Sequence, residues 1–121
     1  MTGQITSLWQ DPVPALRCRG GPATLSLMAT PLTPAERSDL AAALPDWAVD
    51  GQTICRTFRL ADFGAAMGFV IRVALAAEQA DHHPDIDIRW NAVTITLSTH
   101  SAGALTDLDQ DLATRIDAFF R

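Results

Sequence analysis

Three histidines make up the whole imidazole complement of this 121-residue chain, and all three lie between positions 82 and 100. They belong to a run that reads Glu78, His82, His83, Pro84, Trp90, His100 and Asp109. Histidine is the side chain that both gives and takes a proton near neutrality, with an unperturbed pKa of about 6.5. Imidazoles gathered in one segment and flanked by carboxylates suggest acid–base work or metal binding. Each residue alone has an ordinary explanation. His82 and His83 follow a helix end, where the dipole favours a cation. His100 alone is a polar strand end, and Glu78 a solvated helix residue. Asp109 alone is a carboxylate at a helix N-terminus, and Trp90 packs a hairpin or the core. Their weight comes from occurring together.

The elements that position these residues can be read from pattern. Thr33 and Glu36 frame a capping box with Pro34 at the first helical position, so a helix runs to about Leu44 and ends at Pro45. Residues 47–49 read as a short strand, and Asp50-Gly51 as a hairpin turn. Thr53 to Leu60 alternates Ile54, Arg56 and Phe58 against Thr53, Cys55 and Thr57, the period of a strand. Asp62 caps a long helix to about Ala80, with Phe63, Met67, Val70, Ile71 and Ala74 as its expected buried stripe. Glu78 extends that stripe, and a carboxylate there needs a reason. Pro84 ends the helical region. Ile86 and Ile88 alternate with Asp87 and Arg89, and Asn91-Ala92 turns the chain. Val93, Ile95 and Leu97 face one way; Thr94, Thr96, Ser98 and His100 face the other. Gly103 breaks the strand and Thr106 caps a last helix with Leu108, Leu112, Ile116 and Phe119 as its core face. The order α-β-β-α-β-β-α makes an α+β domain: a four-stranded antiparallel sheet with helices on one face.

Composition bounds the rest. The length is that of one domain, and 48% hydrophobic residues suffice for a core without disulfides or metal. The net charge of −5 argues against nucleic-acid or anionic-membrane partners. Cys18 and Cys55 match no metal or redox spacing, and free thiols fit a reducing cytoplasm. No apolar run approaches the roughly 20 residues of a membrane span, and the first residues lack the basic and apolar regions of a signal peptide. Residues 1–30 hold three of the seven prolines and three of the seven glycines with no period. They read as a mobile N-terminal arm ahead of a domain at 31–121, with Met28 as an alternative start.

On Glu78, His82, His83, Pro84, Trp90, His100 and Asp109, the sequence resembles the pterin-4a-carbinolamine dehydratases, also known as dimerisation cofactors of a homeodomain transcription factor. The stretches from Phe69 to Glu78, Asp81 to Pro84 and Thr94 to His100 carry the same likeness, as do Trp47, Phe58 and Asp62-Phe63. It covers roughly residues 31–121; residues 1–30 have no counterpart in it.

The resemblance implies a hydro-lyase that removes water from a 4a-hydroxytetrahydropterin to give the quinonoid dihydropterin, in support of tetrahydrobiopterin regeneration. Losing hydroxide from C4a needs an acid at that oxygen, and the N5 proton needs an acceptor. By analogy His82 or His83 serves the departing hydroxyl, and His100 with the other imidazole serves the ring nitrogen. Glu78 and Asp109 then orient imidazoles. Trp47 packs on the flat pterin, Ser98 and Thr99 bind its polar edge, Asp81 and Pro84 line the site, and Trp90 supports it. No metal or organic cofactor is implied. The family also implies a homodimer formed by joining sheet edges, or a homotetramer formed through helices. Two other readings stand beside this one. Three histidines and a carboxylate could ligate zinc, although adjacent histidines rarely point at one ion. A protein of this fold could instead act without catalysis, as a partner that assists another protein's assembly.

Overall fold

The computed structural model describes residues 30–120, so the expected arm at 1–30 lies almost wholly outside the described residues. The elements follow in the expected order: α1 (Pro34–Ala43), β1 (Ala48–Asp50), β2 (Thr53–Arg59), α2 (Phe63–Ala80), β3 (Asp85–Arg89), β4 (Ala92–Leu97) and α3 (Asp107–Phe120). The four strands form one antiparallel sheet in the order β1-β2-β4-β3. Its inner face carries Ile54, Phe58, Val93, Ile95 and Leu97, which join Leu40, Phe69, Val73, Leu112 and Ile116 from the helices in one core. The other face is polar, with Thr57 and Thr94 bonded hydroxyl to hydroxyl at 2.9 Å. The α+β class and the packing of helices on one face are as the pattern predicts.

Local chemistry explains the element ends. Thr33 N–H donates to Glu36 Oε2 at 2.9 Å and Glu36 N–H donates to Thr33 Oγ1 at 3.2 Å, the reciprocal capping box. Asp62 Oδ1 accepts from Ala65 N–H at 2.7 Å and starts α2. The first hairpin turns at Gly51-Gln52, one residue later than expected, with Gly51 at φ +59°. The second turns at Trp90-Asn91 rather than Asn91-Ala92, because Arg89 pairs with Ala92.

Three expectations are corrected. The buried face of α2 is Ala66, Phe69, Val73, Ala76 and Ala77, not the stripe through Phe63, Met67 and Ile71, which are exposed. The helix is apolar nearly all round, so a 3.6-residue period fits several faces. The alanines win because they let α2 lie close against its neighbours. Glu78 therefore sits on the exposed flank and extends no buried stripe. The statement about span length also changes: α2 is 18 residues long with mean hydropathy 1.3, apolar and long enough to cross a membrane by those two measures alone. Its inward residues belong to the core of this domain.

Trp47, expected against a flat ligand, lies in the core of the chain. Its indole is 4% exposed and lies edge-on to Phe58 with ring centroids 5.9 Å apart. Its Nε1–H donates to Asp117 Oδ1 at 2.8 Å, the oxygen that also accepts from Arg56 Nη1 at 2.8 Å.

Candidate active site

The site is built where α2 ends. Asp81 adopts the left-handed conformation, φ +48° and ψ +42°. Its N–H donates to Glu78 O, and His82 N–H donates to Ala77 O at 3.1 Å. This is the Schellman closure, which turns the residue two beyond the cap back over the helix. His82 occupies that position and is driven inward. His83, one residue on, is carried to the surface. Adjacent histidines thus enter opposite environments.

His82 is 8% exposed and its Nε2–H donates to Asp109 Oδ1 at 2.5 Å. Asp109 is fully buried in the first turn of α3. Its Oδ2 accepts from Thr99 Oγ1 at 2.8 Å and from Thr106 N–H at 2.9 Å. Thr106 Oγ1 accepts from Leu108 N–H at 3.2 Å, so the Thr106 hydroxyl and the Asp109 carboxylate both cap the start of α3. The helix N-terminus also favours the carboxylate charge. His83 Nε2–H donates to Glu78 Oε1 at 2.5 Å across five residues, with both side chains open to solvent. This is the reason the Glu78 carboxylate sits where it does.

The two imidazoles share one arrangement. Each commits Nε2–H to a carboxylate, which leaves Nδ1 as the acceptor of a neutral ring. One pair is buried and the other is solvated. No three His, Cys, Asp or Glu side chains are grouped to hold a metal ion among the described residues.

The remaining expected residues fall as follows. His100 is exposed in the turn after Thr99, past the end of β4 at Leu97, and its carbonyl accepts from Gly103 N–H at 3.2 Å. Its imidazole is bound to none of the described residues. Ser98 and Pro84 are half-buried beside this loop and the α2 end. Thr99, expected at a pterin edge, is 3% exposed, with its hydroxyl turned inward to Asp109 and Thr106. The alternation of β4 continues to it: Val93, Ile95, Leu97 and Thr99 are all buried. Trp90 is corrected as well, being 68% exposed at φ +52° on a hairpin tip instead of packed. Thr106 was expected only as a cap, and its link to Asp109 makes it part of the site. The spacing Thr106-x2-Asp109, a threonine cap with a carboxylate three residues on, was the available signal.

This sequence and fold match a hydro-lyase family. The family model described as pterin 4 alpha carbinolamine dehydratase matches residues 30–119. The chain belongs to this family. A protein of Roseiflexus sp. (strain RS-1) with the provisional name pterin-4-alpha-carbinolamine dehydratase is 52% identical over 90 residues, covering 74% of this chain and 97% of its own length. One of Nocardia farcinica (strain IFM 10152), with the same provisional name, is 60% identical over 78 residues, covering 64% of this chain and 82% of its own. Among solved structures, a transcriptional coactivator/pterin dehydratase from Brucella Melitensis superposes with a TM-score of 0.73 at 38% identity, over 76% of this chain and all of that one. A pterin dehydratase-like RuBisCO assembly factor of the alpha-carboxysome, at 23% identity and a TM-score of 0.54 over 61% of this chain and 88% of its own, shares the fold.

Proposed function

We propose that this protein dehydrates a 4a-hydroxytetrahydropterin to the quinonoid dihydropterin by histidine acid–base catalysis, and so supports tetrahydrobiopterin regeneration. The observation that carries the reading is the pair of imidazole–carboxylate couples, His82 with Asp109 and His83 with Glu78. In the reaction the C4a–O bond breaks and a proton joins the departing hydroxyl to give water. The N5 proton leaves, and its bonding pair forms the C4a=N5 double bond. One His83 or His82 imidazole delivers the first proton; the other imidazole, with His100, accepts the second. A carboxylate on Nε2 fixes each ring and favours the imidazolium it passes through.

The test is turnover of freshly generated 4a-hydroxytetrahydropterin, with circular dichroism as the folding control. His82 is buried, so His82→Gln is preferred to alanine because an amide N–H can still reach Asp109. His82→Gln and His83→Ala should each lower kcat by about tenfold or more, and the double change should approach the uncatalysed rate. A folded double variant with wild-type turnover would refute the assignment.

The proposal extends to assembly. Phe63, Met67, Ile71 and Leu75 form an exposed apolar stripe along α2, and β3 is an open sheet edge. Proteins cover both kinds of surface. Either contact between copies yields the homodimer or homotetramer that the family suggests. A cytoplasmic setting, in keeping with the free thiol of Cys55, completes the reading.

A further inference from the structure

We propose that Thr99 is a positioning residue, the last member of a one-way hydroxyl relay that locks the Asp109 carboxylate onto His82. The inference rests on the dehydratase reading of His82. The direction of the relay follows from donor and acceptor inventory. A carboxylate only accepts, so the single hydroxyl hydrogen of Thr99 is spent on Asp109 Oδ2. The 2.7 Å bond between the two threonine hydroxyls must then be donated by Thr106. Thr106 Oγ1 in turn accepts from Leu108 N–H. Hydrogens therefore run from Leu108 to Thr106 to Thr99 to Asp109, and from the opposite side His82 donates to Asp109 Oδ1.

The physical need for this relay is rotational. The terminal torsion of an aspartate is broad and roughly two-fold, so a carboxylate held at one point can swing. Here Oδ2 is held twice, by Thr99 and by the Thr106 backbone, and Oδ1 is left aimed at Nε2 of His82. A fixed Oδ1 holds the Nε2–H tautomer, and that keeps Nδ1 as the basic nitrogen. Thr99, Thr106 and Asp109 are all nearly or fully buried, so no water substitutes for a missing hydroxyl at low cost.

The test compares Thr99→Val and Thr99→Ser in the full chain, with Thr57→Val as a matched loss of one threonine–threonine hydroxyl bond on the open sheet face. Thr99→Val should lower kcat roughly tenfold with KM unchanged, the low end of what a hydrogen bond to a charged group supplies. Thr99→Ser should restore most of that loss, and Thr57→Val should turn over like wild type. Nitrogen-15 NMR should find the wild-type His82 ring protonated at Nε2 and not at Nδ1 in its neutral form, shifting toward a tautomer mixture in Thr99→Val. A rise in KM with kcat intact would mean that Thr99 touches the pterin, and would overturn the proposal. So would an Nδ1–H tautomer in wild type, a measurement that stands even where Thr99→Val does not fold. If His82→Gln is slow while Thr99→Val is not, the relay fails alone. If His82→Gln keeps wild-type turnover, the dehydratase reading fails with it.

Discussion

Asp109→Asn should separate stability from catalysis. Asp109 accepts three hydrogen bonds: from His82 Nε2, Thr99 Oγ1 and Thr106 N–H. Asparagine keeps one oxygen and replaces the other with an NH2 donor. Two of the three native donors meet at Oδ2, so the amide oxygen belongs there and the NH2 group faces His82. Nε2 must then accept, and the proton moves to Nδ1. Every bond is kept in this arrangement, but three charge-assisted bonds become neutral ones. That costs about 2 kcal/mol, since charge assistance roughly doubles a bond's strength. Catalysis pays far more, because the nitrogen that should accept a proton already carries one. A misdirected acid–base group should lower kcat on the order of 10²-fold. Asp109→Ala is the reference. It strands three donors at about 1–3 kcal/mol each, a large share of the roughly 5–15 kcal/mol that holds a domain together. Urea titration and steady-state turnover measure the two axes. An Asp109→Asn protein with wild-type kcat would refute the tautomer argument. One as unstable as Asp109→Ala would show that the amide does not follow the network.

Two further outcomes follow from the backbone and the surface. At Asp81, φ +48° is strained for any residue branched at Cβ, so Asp81→Val should be less stable in urea than Asp81→Gly by about 1–2 kcal/mol; equal midpoints would mean that the left-handed cap carries no strain. Ile71→Asp combined with Leu75→Asp charges the exposed flank of α2 without entering the core, and light scattering should find the 13.0 kDa single chain more populated than in wild type; an unchanged particle size would exclude that flank from assembly.

What the sequence made legible depended on how unique each local pattern was. The capping boxes and the β4 alternation each admit one solution, and Thr33, Asp62, Val93, Ile95 and Leu97 all stand as read. The face of α2 did not, because Phe63, Met67 and Ile71 satisfy the same period as Ala66, Phe69 and Val73. Choosing between them needs the neighbouring surfaces, and bulk alone pointed to the wrong one. Trp47 was ambiguous for a related reason: an indole suits a flat ligand and a core equally well. Its burial is decided by Asp117, 70 residues away, which no local pattern announces. Within the candidate site, the sequence names Glu78, His82, His83 and Asp109 but not the pairing that the structure gives them. Their spacing in the chain does not say which carboxylate meets which imidazole.

That pairing comes down to one backbone conformation. His82 and His83 are chemically identical neighbours, and nothing in their types distinguishes them. The left-handed turn at Asp81 and the bond from His82 N–H to Ala77 O send the first ring inward to a fully buried carboxylate, and the second outward to Glu78. A buried pair sits in a low-dielectric setting, where the carboxylate acts strongly on the ring it holds. A solvated pair is screened. On the proposed mechanism the two rings would divide the work, a held imidazole in one tautomer and an open one that meets solvent. The left-handed turn that ends α2 between Ala80 and His82 is what separates the two rings.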